Sequence, residues 1–236
     1  MRPKIICHMV SSIDGRLLPD RWTPLAESSD PHIVSRLYET TAAGFNADGF
    51  LMGRVSMGDF SSATVGEPSK GGHGPRAAHI APSRTPFLAV VFDPNGKLRY
   101  DLNTAGKDHI VAVLGQTVSD DYLAQLRKAG VSYVFGGADG RDLDTALAEL
   151  AEHFGMKTIL LGGGGLLNGA FLNAGLIDEV SVLVYPGIDG LAGIPSIFEY
   201  SGGHGDQPAA GIVLRLLSTE MLDAGFVWLR YAAERV

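Results

Sequence analysis

One cysteine, Cys7, is present in 236 residues, so the chain can build neither an intramolecular disulfide nor a thiolate zinc cluster. A reducing, cytoplasmic setting suits it. No apolar run approaches the roughly 20 residues of a membrane span, and the apolar start after Arg2 and Lys4 is broken at His8, too soon for a signal-peptide core. No membrane partner is expected. Basic residues are not in excess either: 19 Lys and Arg face 26 Asp and Glu, a formal charge of -7 and the wrong sign for gripping a phosphate backbone. Nucleic acid is therefore not an expected partner. The chain has no G-x-G-x-x-G fingerprint, Walker A loop, H-E-x-x-H pair or G-x-S-x-G elbow. Its seven histidines follow no compact zinc spacing, so no metal is expected.

What is present is a large apolar fraction, 45% against 19% charged, enough to bury a core. There is no repeat and no Pro/Ser linker, which makes residues 1–236 a single domain. Short apolar runs read as strands: Ile5 to Val10, Gly49 to Met52, Phe87 to Phe92, Ile110 to Leu114, Val131 to Phe135 and Thr158 to Leu161. Helical patterns stand between them. One is capped by Asp30, with Pro31 in its first turn, and stops at a left-handed Gly44; others run from Ser119 to Gly130 and from Asp142 to Gly155. After Gly169 the runs Glu179 to Tyr185, Ile212 to Leu217 and Phe226 to Tyr231 follow one another with little helix, so the sheet ends in antiparallel strands. The fold class is α/β with a mixed, mostly parallel sheet. Residues 61–86 and 186–210 are long loops, which in a compact domain are usually functional and are expected on the substrate side.

Glycine is abundant, 31 residues against a usual ~7% of a chain. Four stand together in Leu161-Gly162-Gly163-Gly164-Gly165-Leu166-Leu167, a strand end running into a helix. Residues without Cβ let a phosphate approach the backbone, and the helix start offers free N–H groups at its positive end. A second strand end, Met52-Gly53-Arg54-Val55-Ser56, adds an open backbone, a hydroxyl and a guanidinium fork suited to a phosphate. Two such cradles suit a dinucleotide.

In order and position these two motifs resemble the NADPH-binding motifs of the dihydrofolate-reductase-like superfamily. Within it the chain looks most like the reductase of riboflavin biosynthesis, the RibD C-terminal family. The runs Met9 to Leu17 and Leu167 to Val180, leading to Tyr185-Pro186, support the likeness. The resemblance implies a three-layer α/β/α fold, NADPH as hydride donor, and a homodimer. It implies that Arg54 holds the 2′-phosphate, that Gly53, Ser56, Gly163, Gly164, Gly165, Leu166 and Leu167 hold the pyrophosphate, and that Gly15 flanks the nicotinamide. His8 falls where such enzymes carry a substrate-facing polar residue; it and Asp14 are the candidate catalytic groups. The implied activity is NADPH-dependent reduction of 5-amino-6-(5-phosphoribosylamino)uracil, by a stand-alone reductase, since one cysteine cannot supply the zinc motif of the deaminase that accompanies it elsewhere. Gly162 stands where the family usually has glutamate, and Gly58-Asp59-Phe60-Ser61-Ser62 replaces its acidic, proline-containing segment. The alternatives are therefore a pterin or dihydrofolate-type reductase on the same fold and a non-catalytic NADPH-binding protein.

Overall fold

The computed structural model describes residues 2–26 and 30–236. In chain order the elements are β1 (Lys4–Ser12), α1 (Ile33–Ala43), β2 (Gly49–Gly53), α2 (Arg54–Phe60), β3 (Thr64–Val65), β4 (Leu88–Phe92), β5 (Leu98–Arg99), β6 (Thr104–Ala105), β7 (Asp108–Leu114), α3 (Asp120–Ala129), β8 (Ser132–Phe135), α4 (Leu143–Phe154), β9 (Thr158–Leu161), α5 (Gly165–Asn173), β10 (Glu179–Tyr185), β11 (Ile212–Met221) and β12 (Val227–Arg235). They form two compact units. One holds Ala47–Ile159 with the extreme amino terminus, the other Lys4–Asn46 with Leu160–Val236.

In the first unit β2, β4, β7 and β8 pair in parallel, and the short β6 runs antiparallel to β7. Alternation along the strands sends Ala89, Val91, Ile110, Ala112, Leu114, Tyr133 and Phe135 to one face, where Tyr122, Leu123 and Leu126 of α3 cover them. Val90, Val111, Val113 and Val134 on the other face are also buried. Burial on both faces is why these strands read as unbroken apolar runs. The helix ends follow the sequence: Ser119 accepts the Tyr122 N–H before α3, Asp142 accepts the Thr145 N–H before α4, and Gly130 and Gly155 take φ of 76° and 68° after them.

In the second unit β1 and β10 are parallel, while β10–β12 and β12–β11 are antiparallel, so the expected antiparallel ending is present. Trp22, Ile33, Leu37, Leu183, Tyr185 and Phe226 form its apolar centre. Here α1 departs from expectation at both ends. It begins at Ile33, and Asp30 instead accepts the His32 N–H in the preceding turn. Gly44 is right-handed, with φ -64°, because Gly44, Phe45 and Asn46 each donate three residues back and tighten the helix end. The left-handed reversal comes at Asn46, φ 48°. That extra turn brings the Phe45 ring against His8 and Trp228.

Candidate active site

The glycine-rich turn is built as the sequence suggests. Gly163 and Gly164 take φ of 154° and 78°, values that only glycine adopts freely, and Gly164 occupies the N-cap of α5 without any side-chain cap. The N–H groups opening α5 thus have no intrahelical acceptor, while those of Leu167 and Asn168 bond the Gly164 carbonyl. Leu166 is 59% exposed beside them. Gly165 serves a further purpose. A Cβ there would strike the Ser196 carbonyl, and one on Gly169, a turn later, would collide with the Glu199 carbonyl. The two glycines clear a face of α5 for the backbone of residues 196–199, which Glu199 N–H fastens to the Gly165 carbonyl at 2.9 Å and the Asn168 amide fastens at Ile197 O, also at 2.9 Å.

That segment also holds the turn after β1. Ser12, Asp14, Gly15 and Arg16 form a tight loop in which Gly15 has φ 76° and open space where a side chain would stand. Arg16 donates to the Ile194 carbonyl, Leu17 N–H bonds Pro195 O, and Asp14 accepts the N–H groups of Asp189 and Gly190. Residues 187–199 therefore strap the Gly15 turn to α5. Residues 186–210 are expected from the sequence to form a long loop on the substrate side; the first half of that stretch is this strap, whose bonds sequence spacing could not reveal.

Asp14 is not placed as an acid. The Ser12 hydroxyl at 2.6 Å and the strap N–H groups hold its carboxyl down to about 2, so it stays ionised as an anchor. His8 is likewise corrected as a proton donor. It is fully buried on β1, with Nδ1 2.9 Å from Ser181 Oγ and Nε2 within 3.3 Å of Thr41 Oγ1 and the Tyr38 carbonyl. Burial pushes its pKa down to about 4, aided by the Arg230 charge, so the ring is neutral. Because the Thr41 hydroxyl donates to the Leu37 carbonyl at 2.8 Å, Nε2 carries the proton, and Nδ1 accepts from Ser181. Trp22 closes the core against Tyr185, and Cys7 is a buried thiol whose pKa burial raises.

In the other unit Gly53 ends β2 and caps α2 with no side-chain bond. Arg54 is half-buried and makes no ion pair or hydrogen bond among the described residues; Ser56, also half-buried, has an equally unengaged hydroxyl. This contrasts with Arg21, Arg36, Arg76, Arg215 and Arg230, each paired with a carboxylate. Among the described residues no group of three His, Cys, Asp or Glu could hold a metal, and no helix is long and apolar enough to cross a membrane.

The uncapped glycine turn in one unit could receive a phosphate, and so could Arg54 in the other, which has no carboxylate partner among the described residues. A reductase of 2,5-diamino-6-ribosylamino-4(3H)-pyrimidinone 5′-phosphate from Aquifex aeolicus is 24% identical over 221 residues, 92% of this chain and 91% of its own. One of the same name from Methanothermobacter thermautotrophicus is 27% identical over 193 residues, covering 80% and 81%. Among solved structures, a pyrimidine reductase-like protein from Corynebacterium diphtheriae has TM-score 0.65 at 16% identity, over 99% of this chain and 93% of its own. RibD from Acinetobacter baumannii has TM-score 0.64 at 19% identity; this chain is covered to 99% but spans only 59% of that one. The structures share the α/β fold, and residues 3–228 match the family described as the RibD C-terminal domain. The chain belongs to the RibD C-terminal domain family.

Proposed function

We propose that this protein is an NADPH-dependent reductase of a ribosylaminopyrimidine 5′-phosphate, acting as one cytoplasmic domain and as a homodimer. The observation that carries the cofactor half is Arg54, a half-buried arginine at a strand-to-helix junction with no carboxylate partner among the described residues. Its planar fork matches a ribose 2′-phosphate, which distinguishes NADPH from NADH. Gly53, Ser56 and the backbone of Gly163 to Leu167 are assigned to the pyrophosphate, and Gly15 to the nicotinamide side. When bound, the reduced nicotinamide supplies the hydride. The chain's own part is orientation and exclusion of water. The strap of residues 187–199 fixes the Gly15 turn and the start of α5 at once, which holds these two parts of the second unit in a single geometry.

The substrate half rests on the family and on the two named relatives, whose names specify the diamino pyrimidinone rather than the uracil. Both forms carry the ribosylamine whose C1′ would accept the hydride. The test is steady-state NADPH oxidation by the purified protein with each form. Turnover of either supports the reading. Tight NADPH binding without turnover of these or of a dihydropterin would instead support the non-catalytic alternative.

A further inference from the structure

Tyr38 lies on the face of α1 that meets β1, stacked on the His8 imidazole with ring centroids 4.5 Å apart. Its backbone carbonyl accepts from His8 Nε2 at 3.3 Å, so the residue is fixed at its backbone as well as at its ring. The phenol hydroxyl makes one long bond, 3.3 Å to the His8 carbonyl, and accepts none among the described residues. It stands beside Gly162, the last residue before the Gly163–Gly164 turn, where a Cβ would sit 3.1 Å from Oη. Unlike His8, Tyr38 is partly exposed. The structure thus holds a rigid phenol, with spare hydrogen-bonding capacity, at the edge of the cofactor turn.

Resting on the reductase reading, we propose that the Tyr38 hydroxyl contacts the substrate and helps set specificity, with His8 as the residue that positions it. Gly162, with no Cβ, leaves the space beside that hydroxyl free of a side chain. The charged groups facing this cluster are Arg230 and Glu179, and they are bonded to each other at 2.6 Å, with Lys4 also on Glu179 at 2.7 Å. Among the described residues no unpaired cation is therefore offered here, and the partner is a neutral ring carbonyl or amine of the heterocycle rather than the 5′-phosphate. A phenol is protonated at neutral pH, so it can donate as well as accept.

The test is Tyr38→Phe, which keeps the ring stacked on His8 and removes only the oxygen. Substrate KM should rise about three- to tenfold, the range for one neutral hydrogen bond, with NADPH affinity and melting temperature unchanged. Gly162→Ala, which sets a methyl against Oη, should raise KM in the native background and add less in the Tyr38→Phe background. Native turnover with an unaltered KM in Tyr38→Phe would overturn this inference alone. Absence of native turnover would remove the reductase reading and the inference with it.

Discussion

At the scale of single residues, what each polar group can do depends on whether the fold has already committed it to a partner. Arg54 is uncommitted, so Arg54→Ala should weaken NADPH binding about ten- to a hundredfold, as expected for a charged hydrogen-bonded contact, and leave NADH binding nearly unchanged. Equal losses in a fluorescence titration would refute its role. His8 is fully committed, and its titration has a sign. Its folded pKa of about 4 lies below the ordinary 6.5, so the unfolded chain takes up the proton first as pH falls. Stability from this group is complete above 6.5 and is lost between 6.5 and 4, by about 3 kcal/mol. His109, lowered by burial to about 4 as well, adds to the same slope. Denaturant melts across that window should show His8→Gln with a shallower acid loss than the native protein; identical slopes would contradict the burial of a neutral imidazole. The sequence marks Arg54 and the glycines because phosphate chemistry favours those residue types. It cannot tell a buried, satisfied histidine from a reactive one, since that depends on Ser181, Thr41 and Tyr38, which reach His8 only through the fold.

Elements were legible where their signals are local. The caps at Ser119 and Asp142 and the left-handed Gly130 and Gly155 sit within a few residues of the helices they bound, and α3 and α4 follow them closely. Asp142→Ala should cost about 1 kcal/mol of stability and leave kinetics untouched. The end of α1 was misread because the place of Phe45 against His8 and Trp228 decides where the chain reverses. The strap was not legible at all: its bonds join residues as far apart as Arg16 and Ile194, separated by 178 positions. Only the pair Gly165 and Gly169, four apart on one helix face, hinted that a backbone must pass there. Gly169→Ala should displace the strap, lower the melting temperature by an amount corresponding to roughly 1–3 kcal/mol, and weaken NADPH binding. A variant that melts and binds like the native protein would show that the strap does not organise the site.

On the scale of the whole molecule, β11 pairs, among the described residues, only with β12 and exposes Val213, Leu214, Leu216, Leu217 and Met221. An edge strand carrying that much apolar surface calls for cover, and a second copy of the chain is the cover we propose. Sedimentation should show a dimer, and Leu216→Glu a monomer; a native monomer would exclude the arrangement. The reductase reading itself is tested most directly by following the transferred atom. The protein is incubated with NADPH carrying deuterium at both C4 positions and with the diamino ribosylaminopyrimidinone 5′-phosphate, and the product is weighed by mass spectrometry. One deuterium fixed on the ribose-derived carbon is the expected result. A product without deuterium, or no product while NADPH stays bound, would contradict hydride transfer by this chain.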